Sequence, residues 1–488
     1  MRKELLTYIF VLLVLIAGIV SVLEIGRHIY SGQEQSQTLQ AIPNSRATPD
    51  SPHFEALSGT IGKILRGQLE HPLSVVLIQI VVIIISATLV GKLFSRLGQP
   101  EVVGQMIAGV LLGPSFLGLL SPGVTNFLFP ANSLEPLRLL SQIGVILFMF
   151  TVGTDLHLSE LKGKARAAVF ISHASIAVPF LLGTIFSLLL YPHLASPNSS
   201  YLSFALFMSV AMSITAFPVL VRILEERRLT RSLIGSMTTV CAAVDDVTAW
   251  CLLAIVVAIV NAGGLIGGAV PIGLTILFIL LMLFVVRPRV DRLICRELDA
   301  ETPNEKWVVL VLAFAFLSAF ITEAIGIHAI FGGFLAGLIM PRHPRLRVIL
   351  TDRLEVFTKS FLLPLYFTTT GLRTQIGLLN DWKSWLLCAG VVAIAISGKF
   401  FGSTLASRWV GLSWHNSLSI GVLMNTRGLV ELVVLNIGYD LGILSPRTYS
   451  MMVFMALITT FMTGPLLSLL QFREQRQVVY VNRARNAV

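Results

Sequence analysis

Charged side chains are scarce in this sequence, and that scarcity excludes most classes of soluble protein. Only 13% of the 488 residues are Asp, Glu, Lys or Arg, while 55% are hydrophobic and the mean hydropathy is +0.82. A soluble globular chain carries about 25% charged residues. The composition therefore indicates a polytopic membrane protein.

Cysteine is rarer still. The chain has four cysteines, and none of their spacings is that of a metal site. Cys241 and Cys251 lie too far apart along one apolar run to form a disulfide. We expect no role for cysteine, no resident metal, no cofactor and no enzymatic activity.

The net charge of +10 does not indicate nucleic-acid binding, because the basic residues lie in short loops between apolar runs. Alternate loops carry them, as at Lys162, Lys164 and Arg166, whereas intervening loops such as YPHLASPNSS (191–200) are nearly uncharged. Basic loops of membrane proteins face the cytoplasm. We therefore expect both termini in the cytoplasm, and the protein in a bacterial inner membrane.

Apolar runs long enough to cross a bilayer occur fourteen times, by the criterion of about 20 residues. We place them at 5–25, 74–95, 101–120, 136–154, 166–190, 201–224, 233–260, 268–286, 306–323, 327–341, 357–372, 384–407, 413–437 and 449–471.

Four segments follow from these runs. Residues 1–25 form an N-terminal anchor that we expect to be uncleaved, with a cleaved signal peptide as the alternative. Residues 26–72 form a polar extracytoplasmic linker, 74–471 a membrane domain of thirteen helices, and 472–488 a short cytoplasmic tail.

An internal repeat runs through the membrane domain. VVGQMIAGVLLGP (102–114) resembles IFGGFLAGLIMP (330–341), and the next spans, LFMFTVGTDL (147–156) and PLYFTTTGLRT (364–374), also match. Small residues at this spacing are also common in ordinary helix packing. The matched spans lie seven helices apart, so the second copy is inverted, as in many secondary transporters. We expect repeats at 74–261 and 305–471.

Few ionisable residues lie within spans, where they usually face partners or a water-filled cavity. Asp245 and Asp246 are adjacent in CAAVDDVTAW, and Lys399 lies deep in another span. Adjacent helical side chains diverge by about 100°, so one aspartate can pair with Lys399 while the other faces a cavity. A carboxylate there can hold a proton or a desolvated Na⁺ or K⁺, but not both. A structural ion pair is the alternative, and it leaves the second aspartate uncompensated.

Two spans carry interruptions in corresponding positions of the two halves, which is a pointer to a transport site. An ordinary proline kink is the alternative reading of the first one. The residues that we assign to the breaks are Ala216, Phe217 and Pro218 in the first span, and Asn425, Thr426 and Gly428 in the second. Ser213 and Thr215 are candidate ligands beside the aspartates. Arg427 and Glu431, spaced i, i+4, are read as a structural pair.

These motifs together resemble the monovalent cation:proton antiporter-2 family, which includes Kef-type potassium antiporters and plant cation/proton exchangers. The resemblance covers 74–471 and is carried by segments such as SITAFPVLVRILEERRL, AAVDDVTAW, GKFFGSTLASRW and MNTRGLVELVVLNIG. It implies an all-α membrane protein with two crossed, interrupted helices, a homodimer and an elevator-like alternation.

The resemblance also implies roles for single residues. Asp246 resembles the principal cation- and proton-binding carboxylate, and its transported ion (Na⁺, Li⁺ or K⁺) is the only metal expected. Lys399 resembles the lysine that pairs with Asp245 when the cation site is empty. An aspartate at position 245 tends to accompany electrogenic exchange in such antiporters.

Three other functions compete with antiport. An intramembrane aspartyl protease also needs paired membrane aspartates, and Tyr439-Asp440 resembles part of its motif, but no G-x-G-D segment is present. A non-transporting sensor on the same scaffold need not keep Asp245, Asp246 and Lys399 intact. A passive cation channel would conduct without a proton gradient.

Overall fold

The computed structural model describes most of the membrane domain. Its described residues are 13–25, 27–29, 72–130, 133–155, 165–197, 199–229, 232–262, 265–300, 306–341 and 356–485, with single positions at 343, 346, 348, 350, 353 and 354. The predicted anchor is helical over 13–25, where Gly18 lies against Leu181. Residues 1–12, nearly all of the predicted linker and the last three residues lie outside the described residues.

The described chain is helical, and the β-type pairing within it is one isolated bridge between Ala195 and Leu444. In chain order the helices are α1 (Pro72–Arg96), α2 (Glu101–Leu112), α3 (Leu117–Leu120), α4 (Pro122–Leu128), α5 (Leu134–Asp155), α6 (Ala165–Leu194), α7 (Tyr201–Ser213), α8 (Phe217–Glu226), α9 (Leu233–Asn261), α10 (Leu265–Leu280), α11 (Arg287–Ala300), α12 (Lys306–Ile325), α13 (Ala329–Leu338), α14 (Leu363–Leu372), α15 (Trp382–Trp409), α16 (Trp414–Met424), α17 (Leu429–Asp440) and α18 (Pro446–Arg485). Short π-helical turns, Leu281–Val286 and Thr358–Leu362, precede α11 and α14.

Within the described ranges, nine helices are long and apolar enough to cross a membrane. The all-helical membrane fold expected from the sequence is therefore confirmed. The last helix continues to Arg485, through most of the segment predicted as a tail. The predicted span 201–224 is two half-helices, α7 and α8, and the span 413–437 is likewise α16 and α17.

Each of the two repeated glycine motifs packs against a helix from the other half of the membrane domain. A Cβ on Gly109 of α2 would lie 2.1 Å from the carbonyl oxygen of Thr368 on α14. A Cβ on Gly337 of α13 would lie 2.0 Å from the carbonyl oxygen of Phe150 on α5. Both positions require glycine because backbone meets backbone. The two contacts are reciprocal, because each glycine motif packs against the helix that follows the other motif in the chain.

The contacts divide the helices into two groups. A site group consists of α6, α7, α8, α9, α15, α16, α17 and α18, and a flanking group of α1, α2, α5, α12, α13 and α14. Within the site group α15 packs closely on α6, where a Cβ on Gly398 would lie 2.7 Å from the Cα of Pro179. This packing brings Lys399 beside the aspartates of α9.

Candidate cation and proton site

The two aspartates lie near the middle of α9, and both side chains are fully buried. The helix begins at Leu233, after Ser232 accepts a hydrogen bond from the backbone N–H of Gly235. Because α9 is a regular helix through both positions, the neighbouring carboxylates point in directions about 100° apart. They consequently have different surroundings.

Asp245 is enclosed by donors. Lys399 Nζ lies 2.6 Å from Asp245 Oδ2, and Thr215 Oγ1 donates to the same oxygen at 2.6 Å. Ser172 Oγ lies 2.9 Å and Ser175 Oγ 3.2 Å from Asp245 Oδ1, and Ser175 also accepts from Lys399 at 2.9 Å. Charge-assisted hydrogen bonds of this kind stabilise a buried carboxylate as an anion.

Asp246 has the opposite environment. Neither of its carboxylate oxygens has a hydrogen-bond partner among the described residues, although the carboxylate is fully buried. The backbone N–H of Phe217, at the start of α8, acts on it as a weak donor, outside the geometry of a full hydrogen bond. An unpaired buried carboxylate is costly, so the group is stable only when a proton or a bound cation compensates its charge.

The two helix breaks cross each other beside these carboxylates. The backbone is non-helical from Ile214 to Ala216 and again around Gly428. The backbone N–H of Ala216 donates to the carbonyl of Thr426 at 3.0 Å, and Thr215 Oγ1 reaches the carbonyl of Met424 at 3.0 Å. Backbone polar groups released by one break are thus satisfied partly by the other.

Gly428 permits this crossing. A Cβ at that position would lie 2.7 Å from Val219 Cγ2 and 3.3 Å from the Cβ of Ala216. A larger side chain would push the second break away from the first. The sequence shows where the helix is interrupted. The structure shows why the residue there is glycine, because the two breaks approach too closely for a side chain.

Arg427 binds the end of the first half-helix. Its guanidinium donates to the carbonyls of Ala211 at 2.7 Å and Met212 at 2.6 Å, in the last turn of α7. These carbonyls have no partner further along the helix because α7 ends at Ser213. Glu431 Oε1 lies 3.3 Å from the same guanidinium, and both side chains are fully buried. The positive charge therefore offsets the negative end of α7.

Several candidate residues do not contact the carboxylates. Ser213 Oγ donates to the carbonyl of Ser209 at 2.6 Å, one turn back along its own helix. Thr215 contacts Asp245 rather than Asp246. Phe217 and Pro218 form the first turn of α8 rather than the break itself. A proline there needs no N–H partner, so Pro218 begins the second half-helix instead of kinking a continuous one.

The second break supplies unpartnered polar atoms. Asn425 Oδ1 and Thr426 Oγ1 are buried and have no hydrogen-bond partner among the described residues. Among the residues that the structure describes, the amide nitrogen of Asn425 reaches the sulfur of Met462, at 3.9 Å. Both residues can therefore contribute oxygen ligands near the crossing.

Sequence reasoning missed Ser172 and Ser175, which bind Asp245 from α6. Their spacing of three residues in ISHASIAVP (171–179) puts both hydroxyls on one face of a helix. Serines at that spacing are common in membrane helices, so the sequence alone does not distinguish a ligand pair from a packing face.

A cavity adjoins the crossing on the side of the flanking group. It is lined from α2 by Val102, Val103 and Met106, and otherwise by Val219, Arg427, Gly428, Ala456, Leu457 and Thr460. Its location places it between the two helix groups, next to both half-helices. Its lining is apolar except for Arg427 and Thr460.

Two interrupted helices that cross beside buried carboxylates, within a polytopic helical bundle, define the class of secondary transporters. The chain belongs to the family described as "Sodium/hydrogen exchanger, transmembrane", whose model matches residues 81–473. The predicted relationship to monovalent cation:proton antiporters is thereby confirmed. The protease alternative fails, and Asp440 instead pairs with Arg138 and Arg373.

Curated relatives agree with this family. The chain is 43% identical over 398 residues to the Na(+)/H(+) antiporter NhaS4 of Synechocystis sp., which covers 81% of this chain and 97% of that protein. It is 39% identical over 413 residues to Cation/H(+) antiporter 17 of Arabidopsis thaliana and 35% identical over 427 residues to K(+)/H(+) antiporter 1 of Saccharomyces cerevisiae. These alignments cover 84% and 85% of this chain, and 50% and 49% of the two relatives.

A solved structure shares the fold. The sodium proton antiporter MjNhaP1 from Methanocaldococcus jannaschii superposes with a TM-score of 0.60 at 17% identity. The match covers 82% of this chain and 98% of the other. At this identity the likeness establishes the architecture, and the site must be argued from its own residues.

Proposed function

We propose that this protein exchanges a monovalent cation for protons by alternating access, and that cation and proton compete for Asp246. The observation that carries the proposal is the contrast between the two aspartates. Asp245 has four side-chain donors, whereas Asp246 is equally buried and has none among the described residues. Only Asp246 is thus left to be neutralised by a transported ion.

In this proposal the Lys399–Asp245 ion pair acts together with the cation site at Asp246. Its charges are 2.6 Å apart and fully buried, so neither charge is left without a partner. A cation bound at Asp246 and the charged Lys399 are two positive charges in one buried region, so each disfavours the other. Release of a proton from the pair would add a second proton to each exchange, which makes the exchange electrogenic.

The identity of the cation is part of the proposal. One relative carries the name of an Na⁺/H⁺ antiporter and another that of a K⁺/H⁺ antiporter. The cation is therefore Na⁺ or K⁺, with Li⁺ as the small analogue. Asn425 and Thr426, with unpartnered oxygens at the crossing, are the residues that we expect to contribute to the choice.

The proposal also covers the internal repeats, the orientation in the membrane and the oligomeric state. We propose inverted repeats at 74–261 and 305–471, consistent with the reciprocal packing of Gly109 and Gly337. Charged loops argue for cytoplasmic termini, and the cyanobacterial relative for a bacterial inner membrane. The exposed apolar faces of the flanking group are available for lipid and for the second subunit of a homodimer.

The test is cation-driven proton flux in proteoliposomes, scanned over Na⁺, Li⁺, K⁺ and Rb⁺ and over pH. Asp246→Asn should abolish exchange because an amide binds neither a proton nor a desolvated cation in this role. Asp245→Asn is the matched comparison, and it should change the voltage dependence more than the cation affinity. Full exchange by Asp246→Asn would refute the site assignment.

The same preparation separates the alternatives. A current that reverses at the cation equilibrium potential and ignores pH would establish a passive channel. Cation binding without flux in either direction would establish a sensor on the antiporter scaffold.

A further inference from the structure

A cluster of charged side chains joins the two helix groups at the far end of α17. The carboxylate of Asp440, in the last turn of α17, lies 3.3 Å from the guanidinium of Arg138 on α5 and 3.0 Å from that of Arg373, directly after α14. Arg373 also lies over the ring of Tyr439, 5.6 Å from its centroid. Since α17 belongs to the site group and α5 and α14 to the flanking group, an acidic side chain of one group is held by two basic side chains of the other.

The position of Asp440 makes these partners important. The carboxyl end of a helix already carries a partial negative charge, so a carboxylate in the last turn is unfavourable unless cations lie close to it. The two arginines supply that charge, and both come from the flanking group. Any movement that carries α17 away from α5 and α14 must therefore expose the carboxylate to water or leave it without compensation.

A second layer of contacts lies one turn further into the bundle. Asn436 is on the same face of α17 as the aspartate, at i, i+4 spacing. Its amide nitrogen donates to the hydroxyl oxygens of Tyr366 at 3.1 Å and Thr370 at 3.0 Å, both on α14. Its amide oxygen accepts from Arg373 at 3.0 Å and from Tyr449 of α18 at 3.2 Å. Both ends of the amide are thus engaged, which fixes the register of α17 against α14.

The two layers differ in their exposure to solvent. In the inner layer Tyr366, Thr370 and Tyr449 are buried. In the outer layer the side chains of Arg138 and Asp440 are 35% and 24% exposed. The outer ion pairs therefore border water, and the inner layer is sealed beneath them.

The cluster and the cavity lie on opposite sides of the helix crossing. Asn436 is eight residues beyond Gly428, or about 12 Å along α17. The cavity is lined by Gly428 itself and, on α2, by Val102 and other residues of the first two turns. Just beyond the other end of α2, the hydroxyl of Ser115 donates to the carbonyl of Thr374, in the segment that follows α14, at 2.6 Å. The two ends of α2 therefore lie by the cavity and by the cluster, respectively.

The charges of the loops relate these two ends to the membrane. The loop before α2 follows Lys92 and Arg96, and basic loops face the cytoplasm. In the proposed orientation the cavity is therefore on the cytoplasmic side, and the cluster is on the extracytoplasmic side. Alternating access requires the two helix groups to move relative to each other, and contacts that join them at the closed end must break for the site to open there.

We propose that the two layers form an extracytoplasmic latch, which closes the site to the outside and opens once in every transport cycle. The latch consists of Asp440 with Arg138 and Arg373, and of Asn436 with Tyr366, Thr370 and Tyr449. Because its outer layer borders water, the charges are hydrated when the latch opens. The strength of the latch sets the ratio of the inward-facing to the outward-facing population. The inference rests on the proposed function.

The first test joins the two groups covalently. In a background without native cysteines, the variant Arg373→Cys/Asp440→Cys is reconstituted in proteoliposomes and treated with a bifunctional thiol reagent that has a reducible spacer. Exchange should fall in proportion to the fraction of protein that is cross-linked, and it should return on reduction, because the groups can no longer separate at this end.

The matched control is Asp381→Cys/Arg447→Cys. These residues also form an acidic–basic pair on the extracytoplasmic side, but they join α15 to α18 within the site group. Their cross-linking should leave the exchange rate within about twofold, since the site group moves as one body.

The same vesicles separate the two proposals. No exchange by the wild-type protein would refute the proposed function. Normal wild-type exchange, with continued exchange after cross-linking of Arg373→Cys/Asp440→Cys, would refute the latch and leave the proposed function standing. An equal loss on cross-linking the control pair would also refute the latch.

A second measurement reports the open state directly and needs no transport. Leu432 is fully buried on α17, one turn inside Asn436, which donates to its carbonyl at 3.0 Å. A charged thiol reagent added on the extracytoplasmic side should react slowly with Leu432→Cys, at a rate proportional to the outward-open fraction. The further changes Asp440→Ala and Asn436→Ala should raise that rate about tenfold or more, because contacts from both layers are lost.

Glu135→Ala is the matched control for this measurement. Glu135 also binds Arg138, at 2.6 Å, but both residues lie on α5, so this carboxylate does not join the groups. Its removal should leave the reaction rate within about twofold. An unchanged rate without Asp440 and Asn436, or an equal rise in Glu135→Ala, would overturn the latch.

Cys241 distinguishes opening of the latch from general loosening. It is fully buried within the site group and is kept as the one native cysteine of the background, and the reaction at each cysteine is followed by mass spectrometry. The latch variants should leave Cys241 as unreactive as in the wild type. A parallel rise at Cys241 and Leu432→Cys would show that the fold has loosened, and it would overturn the latch.

Discussion

Replacement of Arg427 by Met is the perturbation for which the structure makes the sharpest energetic statement. The change removes the donor to the carbonyls of Ala211 and Met212, at 2.7 and 2.6 Å, and leaves Glu431 without its ion-pair partner. All of these groups lie in the interior of the site group, where α7 ends. The end of the half-helix would then be buried without a cap.

The magnitude follows from those contacts. Hydrogen bonds to a charged donor are worth about 1.5–3 kcal/mol each, and loss of one member of a buried pair costs about 3–5 kcal/mol. Polar contacts in membrane proteins average nearer 0.6 kcal/mol because the unfolded state also finds partners. We therefore expect a loss of about 3 kcal/mol, or roughly a 150-fold shift of the unfolding equilibrium.

Equilibrium unfolding in mixed micelles measures this loss, with Glu431→Gln as the matched variant. If Arg427 serves mainly as a cap for α7, Glu431→Gln should cost much less, because both carbonyls keep their donor. Equal losses in the two variants would show that the ion pair, not the cap, stabilises the break. A loss below about 1 kcal/mol for Arg427→Met would refute the reasoning altogether.

Three further predictions concern positions away from the site. Gly337→Ala would place a methyl group 2.0 Å from the carbonyl oxygen of Phe150, so α13 and α5 must separate at a cost of about 1–3 kcal/mol or more; Gly273→Ala, with nothing within 4 Å, is the control, and equal thermal unfolding of the two would contradict the packing argument. Asp440→Asn weakens the acceptor shared by Arg138 at 3.3 Å and Arg373 at 3.0 Å, which should cost about 1 kcal/mol at low salt and less at high salt; a loss that ignores salt would show that charge is not the cause. The hydrogen bond from Ser384 holds the pKa of Asp381, the N-cap of α15, below its ordinary value. The stability from this carboxylate is therefore present above about pH 4 and disappears as the pH falls through the lower folded pKa. Melting temperatures of Asp381→Asn and wild type should converge only at the acid end, and a difference that does not change with pH would contradict this.

The sequence alone predicted the class, and it singled out the buried charged residues of the candidate site. A membrane helix can be recognised from its local sequence, because about twenty apolar residues in a row suit the bilayer whatever packs around them. Asp245, Asp246 and Lys399 could be found for the same reason, since a charge in such a run is expensive wherever it points. The two breaks were also visible, because Asn425 and Gly428 lie within one of them and Pro218 lies in the first turn of the half-helix after the other.

Only the tertiary structure decided how these residues are arranged. Which aspartate receives Ser172, Ser175 and Thr215 depends on the rotation of α6 and α9 about their axes, and hydropathy does not encode that rotation. Arg427 reaches carbonyls 215 and 216 residues earlier in the chain because the two breaks cross. Such contacts depend on close packing between distant segments, so the different environments of two identical neighbouring side chains arise only in the folded protein.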